Sequence, residues 1–182
     1  MLIGAEVDGK HYAKLANAPG VFTLSGMAGI INMKPFNLIN KFAMLVNIDL
    51  VDRLSITGGE RDLVAEIHGT GENAVFSLNN RRAEGRSFRE FYQAVIGLLI
   101  EAELPGQVRQ DREGGEIQIE YLLKPSADVP AGTLSGDLVS ITLIPFNRDF
   151  YALRQEGATE FLISRSQVRK IYEAAAAVAY TQ

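Results

Sequence analysis

The chain has 182 residues, a net charge of −4, a pI near 5.3 and no cysteine. The missing cysteines exclude thiol nucleophiles, disulfides, Cys-based zinc sites and iron–sulfur clusters. The acidic balance lacks the Lys/Arg excess that a nucleic-acid partner requires. At 47% hydrophobic and 22% charged, with 6 Pro, the sequence has the make-up of an ordered globular chain able to bury a core without staples.

The apolar run Ala94 to Ile100, which no other run exceeds, is about a third of the roughly 20 residues that a membrane span requires. The opening Met1-Leu-Ile-Gly-Ala-Glu-Val-Asp-Gly9 has neither the basic leader nor the apolar core of a signal peptide.

In chain order, strands are predicted near Leu2 to Val7, Tyr12 to Leu15 and Val21 to Leu24, followed by a brief helix carrying Met27, Ile30 and Ile31. A connector containing Pro35 and the apolar run Phe42 to Ile48 come next. Arg53 to Thr57, Leu63 to His68 and Ala74 to Leu78 again read as strands, before a helix from Phe88 to about Ala102. Phe88, Phe91, Tyr92, Val95, Leu99 and Ala102 form its apolar stripe, Ser87 with Glu90 its capping box, and Pro105-Gly106 its stop.

Gly114-Gly115 precedes an alternation of Ile117, Ile119 and Tyr121 with Gln118 and Glu120, the mark of a strand with one wet face. Ser126 to Gly136 is a loop by composition. Strands at Asp137 to Phe146, Phe150 to Arg154 and Glu160 to Ile163 then lead to a helix. Ser164 and Gln167 are its capping box, and Val168, Ile171, Tyr172, Ala175 and Ala179 its apolar face.

Three stretches therefore share one order of elements. Tyr12-Ala13, Phe22 and Ser25 match Tyr151-Ala152, Phe161 and Ser164 at a constant offset, and Ser55-Ile56-Thr57 echoes Ser140-Ile141-Thr142. The expectation is an α+β fold in a single domain, 1–182, with βββα-like units at approximately 2–33, 52–104 and 137–179. Strands with short turns followed by helices give antiparallel sheets with helices on one side. Whether the units share one sheet or form two lobes stays open.

No catalytic residue, metal site or cofactor motif is found. His11 and His68 sit beside strands without triad partners and read as exposed edge residues. The carboxylate pairs Asp49/Asp52, Glu101/Glu103 and Glu113/Glu116 read as solvated faces. His68-Gly69-Thr70-Gly71-Glu72-Asn73-Ala74 has the glycine spacing of a phosphate loop, but a strand rather than a helix follows, so a hairpin loop is expected. Arg81, Arg82, Arg86 and Arg89 cluster around the start of the central helix, where free amides favour an anion, and are the candidate anion-binding residues. The other reading of these arginines is side chains lying along a solvated surface.

The runs Pro35-Phe-Asn-Leu-Ile-Asn-Lys41, Leu45-Val-Asn-Ile-Asp49, Val51-Asp-Arg-Leu-Ser-Ile-Thr57 and Ser87-Phe-Arg-Glu-Phe-Tyr-Gln-Ala-Val-Ile-Gly-Leu98 resemble a bacterial family. So do Asp149-Phe-Tyr-Ala-Leu-Arg154 and Glu160-Phe-Leu-Ile-Ser-Arg-Ser-Gln-Val-Arg-Lys-Ile-Tyr172. The family is the domain of unknown function numbered four-three-four-zero, whose members are often encoded beside gliding-motility-type ABC transporter components. One departure is Asn79-Asn80-Arg81, where the family pattern would have a tighter Asn-Gly hairpin.

The resemblance implies a non-enzymatic accessory domain at the extracytoplasmic face of the cell envelope. It would be held by an anchor that this sequence does not contain, and would bind a protein partner such as ABC transporter subunits. The alternative reading is a small-ligand, anion- or saccharide-binding module, with an enzyme as a further alternative. No nucleic-acid partner and no cofactor is expected.

Overall fold

The structure is a computed structural model that describes residues 2–8, 10–24, 34–106, 115–125 and 138–181. The chain forms two compact units, residues 1–39 and 40–182. In the first, β1 (Leu2–Val7), β2 (Lys10–Lys14) and β3 (Phe22–Leu24) make a three-stranded antiparallel sheet in the order β1-β2-β3. The helix expected around Met27, Ile30 and Ile31 lies outside the described residues.

The second unit has one nine-stranded antiparallel sheet and two described helices, an α+β architecture as expected. Its first half is β4 (Val51–Thr57), β5 (Leu63–His68), β6 (Val75–Leu78), β7 (Arg81–Ala83) and helix α1 (Gly85–Ile96). Strands β8 (Ala102–Glu103) and β9 (Ile117–Leu123) follow. The second half is β10 (Leu138–Pro145), β11 (Phe150–Gln155), β12 (Ala158–Ser164) and helix α2 (Arg165–Ala176). The strand order is β7-β6-β5-β4-β9-β10-β11-β12-β8, so β9 is shared between β4 and β10 and the two halves fan outward from it.

Alternation along the strands puts Leu54, Ile56, Ala65, Ile67, Phe76, Ile119, Tyr121, Ile141 and Leu143 on one buried face. Helices α1 and α2 pack against each other. They cover this face with Phe88, Phe91, Tyr92 and Val95 from α1 and Val168, Ile171, Tyr172 and Ala175 from α2. Phe88 stacks on Phe76 of β6 at 4.5 Å between centroids, and Tyr92 meets Tyr121 of β9 edge-on at 6.3 Å. The Tyr92 hydroxyl donates to the Val46 carbonyl at 2.9 Å. The opposite face is polar over β4, β5 and β9, where Arg53 pairs with Glu66 at 3.0 Å. It becomes apolar toward β12, where Ile144, Ala152, Leu162 and Ala102 form a cross-strand row.

The outer edges are sealed by exchange. After α1, the chain crosses to the second half: Ala102 and Glu103 pair with Leu162 and Phe161, and Glu101 N donates to Leu162 O at 2.9 Å. After α2, the chain returns to the first half: Tyr180 bridges Ala83, and Thr181 N donates to Arg82 O at 3.0 Å. Each half thus supplies the strand segment that covers the free edge of the other.

Both helix starts differ from the expected capping boxes. Helix α1 begins at Gly85, with Glu84 as N-cap: its carboxylate accepts from Arg86 N at 2.9 Å and Ser87 N at 2.8 Å. Ser87 instead donates its hydroxyl to the Glu84 carbonyl, and Glu90 pairs with Arg86. The helix ends at Ile96, well before Pro105, because Leu98 to Ala102 is pulled into extended pairing: Ala43 N donates to Leu98 O and Ile100 N to Lys41 O. Helix α2 does start after Ser164, but that hydroxyl makes no cap bond and lies 3.0 Å from Ser166 Oγ. Gln167, rather than reaching back, bonds to Leu99.

The Asn79-Asn80 turn between β6 and β7 has φ of 49° and 61°, the left-handed pair of a tight two-residue hairpin. Asn thus supplies here the geometry expected of Asn-Gly, and Asn79 Oδ1 adds a bond from Val64 N at 2.8 Å.

Candidate functional site

The four candidate arginines do not converge. Arg81 stacks over the Tyr180 ring with Cζ 3.7 Å from the centroid, and Arg82 is exposed on β7 opposite Ser77. Arg86 pairs with Glu90 at 3.4 Å. Arg89 lies over Phe76 at 4.9 Å and donates to the Gly71 carbonyl at 2.9 Å. The α1 amides near them already hold an anion of the chain itself. Bonds from the Ser87 and Arg86 amides hold the Glu84 carboxyl below the usual carboxylate range.

The glycine-rich segment after His68 joins β5 to β6 as a hairpin loop, as expected, with φ of 78° at Gly69 and 60° at Gly71. Asp49 accepts from Gly71 N at 2.9 Å, and Lys124 Nζ donates to Gly69 O at 2.7 Å, so the loop is tied down by the chain.

His68 is exposed, whereas His11, expected at an exposed edge, is buried with Nδ1 3.4 Å from the Gly4 carbonyl oxygen. The pleat explains the correction, since His11 and Ala13 turn to the same side of β2. Of the carboxylate pairs, Glu101 accepts from Gln167 and Glu116 pairs with Arg154 at 3.2 Å; Glu113 lies outside the described residues. Among the described residues no three His, Asp or Glu side chains are grouped to hold a metal ion, and no helix is long and apolar enough to cross a membrane.

Elsewhere in the second unit, a cleft of about 690 Å³ opens at the start of α2. Segments distant in sequence build it, Gly115 and Ile117 at the start of β9 among them. The turn after β4 contributes Gly58, Gly59 and Glu60, the β10–β11 turn Arg148 and Asp149, and the first turns of α2 Ser164, Arg165, Ser166, Val168 and Arg169. Gly58 has φ of 79°, and a Cβ there would overlap the Glu116 carbonyl oxygen, so this wall requires glycine.

Arg165 is anchored on the cleft wall. Its Nε donates to the Asn147 carbonyl at 2.9 Å, its Nη1 lies 3.5 Å from the Tyr151 hydroxyl, and its Cζ sits 4.4 Å from that ring's centroid. Arg169 pairs with Glu173 at 3.4 Å while lining the same cleft.

Tyr172 closes the floor. Its residue is 4% exposed, and its buried hydroxyl, set against Gly59, makes no hydrogen bond of acceptable geometry. The Glu60 peptide N–H, the weakest influence on the hydroxyl, favours its ionised form. Burial first, and then the negative charge of Glu60, raises the hydroxyl's pKa, so it stays a neutral donor.

The sequence reading passed over this site. Ser164-Arg165-Ser166 at a helix start was legible, but the capping role given to the Ser164 hydroxyl concealed that the first-turn amides carry no side-chain cap. Comparison with family models, curated proteins and solved structures finds no match to this chain.

Proposed function

We propose that this chain is a non-catalytic binding module and that the α2 cleft is where a small polar ligand sits. The observation supporting this reading is the cleft itself: the guanidinium groups of Arg148, Arg165 and Arg169 and the hydroxyls of Ser164 and Ser166 line one concavity of about 690 Å³, beside the uncapped first-turn amides of α2. The test is amide-resolved NMR titration of the whole chain with a panel of neutral and acidic saccharides and short peptides. Saturable shifts at residues 58–60 and 164–169 are the expected result. Saturation confined to other surfaces, or none with any compound, overturns it.

A second reading is favoured by an apolar groove of about 560 Å³ beside α1, where Leu45 is 60% and Leu50 57% exposed next to Tyr92 and Ile96. Such a groove suits protein docking. It accords with the envelope accessory role, beside an ABC transporter, that the family resemblance implies. Recovery of transporter subunits from membrane extract by the chain, lost on Leu45→Asp with Leu50→Asp, supports that reading; equal recovery by the variant removes it.

A further inference from the structure

We infer that the α2 cleft recognises an oxyanion, a carboxylate or phosphate group, seated at the start of α2 on a ligand whose other polar groups are hydrogen-bond donors. This rests on the cleft being the ligand site. Four observations carry it.

The first is the state of the helix start. Ser164 is the N-cap residue, yet its hydroxyl turns to Ser166 Oγ at 3.0 Å instead of to an amide. The Arg165 amide is taken by the Asp149 carbonyl at 2.8 Å, and the next amides of the turn receive no side-chain acceptor. Those amides and the helix dipole favour a negative group, and the serine pair beside them keeps one hydroxyl proton free as a further donor.

The second is the Tyr172 hydroxyl. It is a buried donor in the floor of the same cleft, with no hydrogen bond, in a residue only 4% exposed. A buried polar group without a partner is costly, and an entering oxygen would satisfy it. It is independent of the helix terminus, two turns further along α2.

The third is charge. Arg148, Arg165 and Arg169 line the cleft against Glu60 and Asp149. One oxyanion suits the arginine side, and hydroxyl or ammonium groups on the ligand suit the two carboxylates. The fourth is α1, where the corresponding amides hold the Glu84 carboxylate of the chain itself. A carboxylate at such a helix start is therefore an arrangement this fold already uses.

The experiment titrates the ¹⁵N-labelled full chain with acetate, inorganic phosphate and glucose, using chloride to hold ionic strength constant. The expected result is saturable movement of the Ser166 and Gln167 amides with acetate or phosphate, whichever the site prefers, and no saturation with chloride. Ser164→Asp gives α2 a carboxylate cap of its own: it should raise the melting temperature and weaken oxyanion binding by about tenfold or more. Tyr172→Phe keeps the ring and should weaken binding several-fold.

Non-saturating shifts with both anions overturn the inference, as does unchanged affinity in a folded Ser164→Asp chain. If glucose saturates the cleft amides while neither anion does, the cleft remains the ligand site and only the oxyanion inference fails. Silence from all three probes, together with the wider panel above, removes both.

Discussion

Gln167 grips the backbone of Leu99 with both ends of its side-chain amide: Oε1 accepts from Leu99 N at 2.7 Å and Nε2 donates to Leu99 O at 3.0 Å. The same Nε2 reaches Glu101 Oε1 at 2.6 Å. One side chain of α2 thus acts as a strand partner for the segment that leaves α1, at the point where the chain turns from helix to extended backbone. Gln167→Ala should cost about 1 kcal/mol, since water reaches these exposed groups and replaces the bonds in part. Gln167→Glu should cost more at neutral pH, because its carboxylate would face Glu101 and meet the Leu99 carbonyl without a donor. Urea denaturation of the two variants checks the order.

Gly59 and Tyr172 form a coupled pair. A Cβ at position 59 would overlap the Tyr172 hydroxyl, so Gly59→Ala forces a buried ring to tilt and should destabilise by roughly 1–3 kcal/mol. Tyr172→Phe alone should be neutral, or stabilising by up to about 1 kcal/mol, because it removes a buried hydroxyl that has no partner. In the Phe background the Gly59→Ala cost should shrink, and a double-mutant cycle measures that coupling.

Glu84 sets a pH dependence whose sign follows from its hydrogen bonds. The amides of Ser87 and Arg86 lower its pKa in the folded chain, so the unfolded chain binds more protons as pH falls through the carboxylate range. Its contribution is complete above the unfolded value and is lost as pH drops through the lower folded value. Glu84→Gln keeps an acceptor but cannot titrate. Its melting temperature should lie below that of the parent chain at pH 7 and approach it as the pH falls through the acidic range, as thermal melts at descending pH would show.

The Asn79-Asn80 hairpin separates two roles. Asn80 contributes a left-handed φ of 61°, which glycine adopts without penalty, so Asn80→Gly should add a few tenths to about 1 kcal/mol. Asn79 also bonds Val64 N and its Nδ2 donates to Asp62 O, hence Asn79→Gly should destabilise despite the same φ sign. Chemical denaturation distinguishes the two.

Much of the fold was legible because apolar periodicity reports which face is buried. Phe88, Phe91, Tyr92 and Val95 stand three or four apart, and Ile117, Ile119 and Tyr121 two apart, and both sets are buried as that spacing demands. Leu98 to Ala102 escaped, since Leu99 and Ala102 extend the helical stripe in sequence while Lys41 and Leu162 claim the backbone in space. The cleft was hidden for the same kind of reason. Its walls come from segments near residues 58, 148 and 165, and local pattern carries no information about which distant turns meet. The caps show it most sharply: Ser87 and Ser164 have the preferred chemistry, yet Glu84 performs one capping role and the other is left open.

The exchange of edges between the halves bears on how residues 40–182 come apart. Hairpins such as β5–β6 and β11–β12 need only short loops to close, so each half can begin to organise locally and quickly. Its outermost strand, however, acquires a partner only when the helix-following segment of the other half arrives, and β9 must find β4 across the whole of α1. Fraying from either rim is thereby coupled to the opposite end of the sheet. The amides at Glu101 and Thr181, peripheral by position, should exchange with solvent only through the same global opening that releases the core.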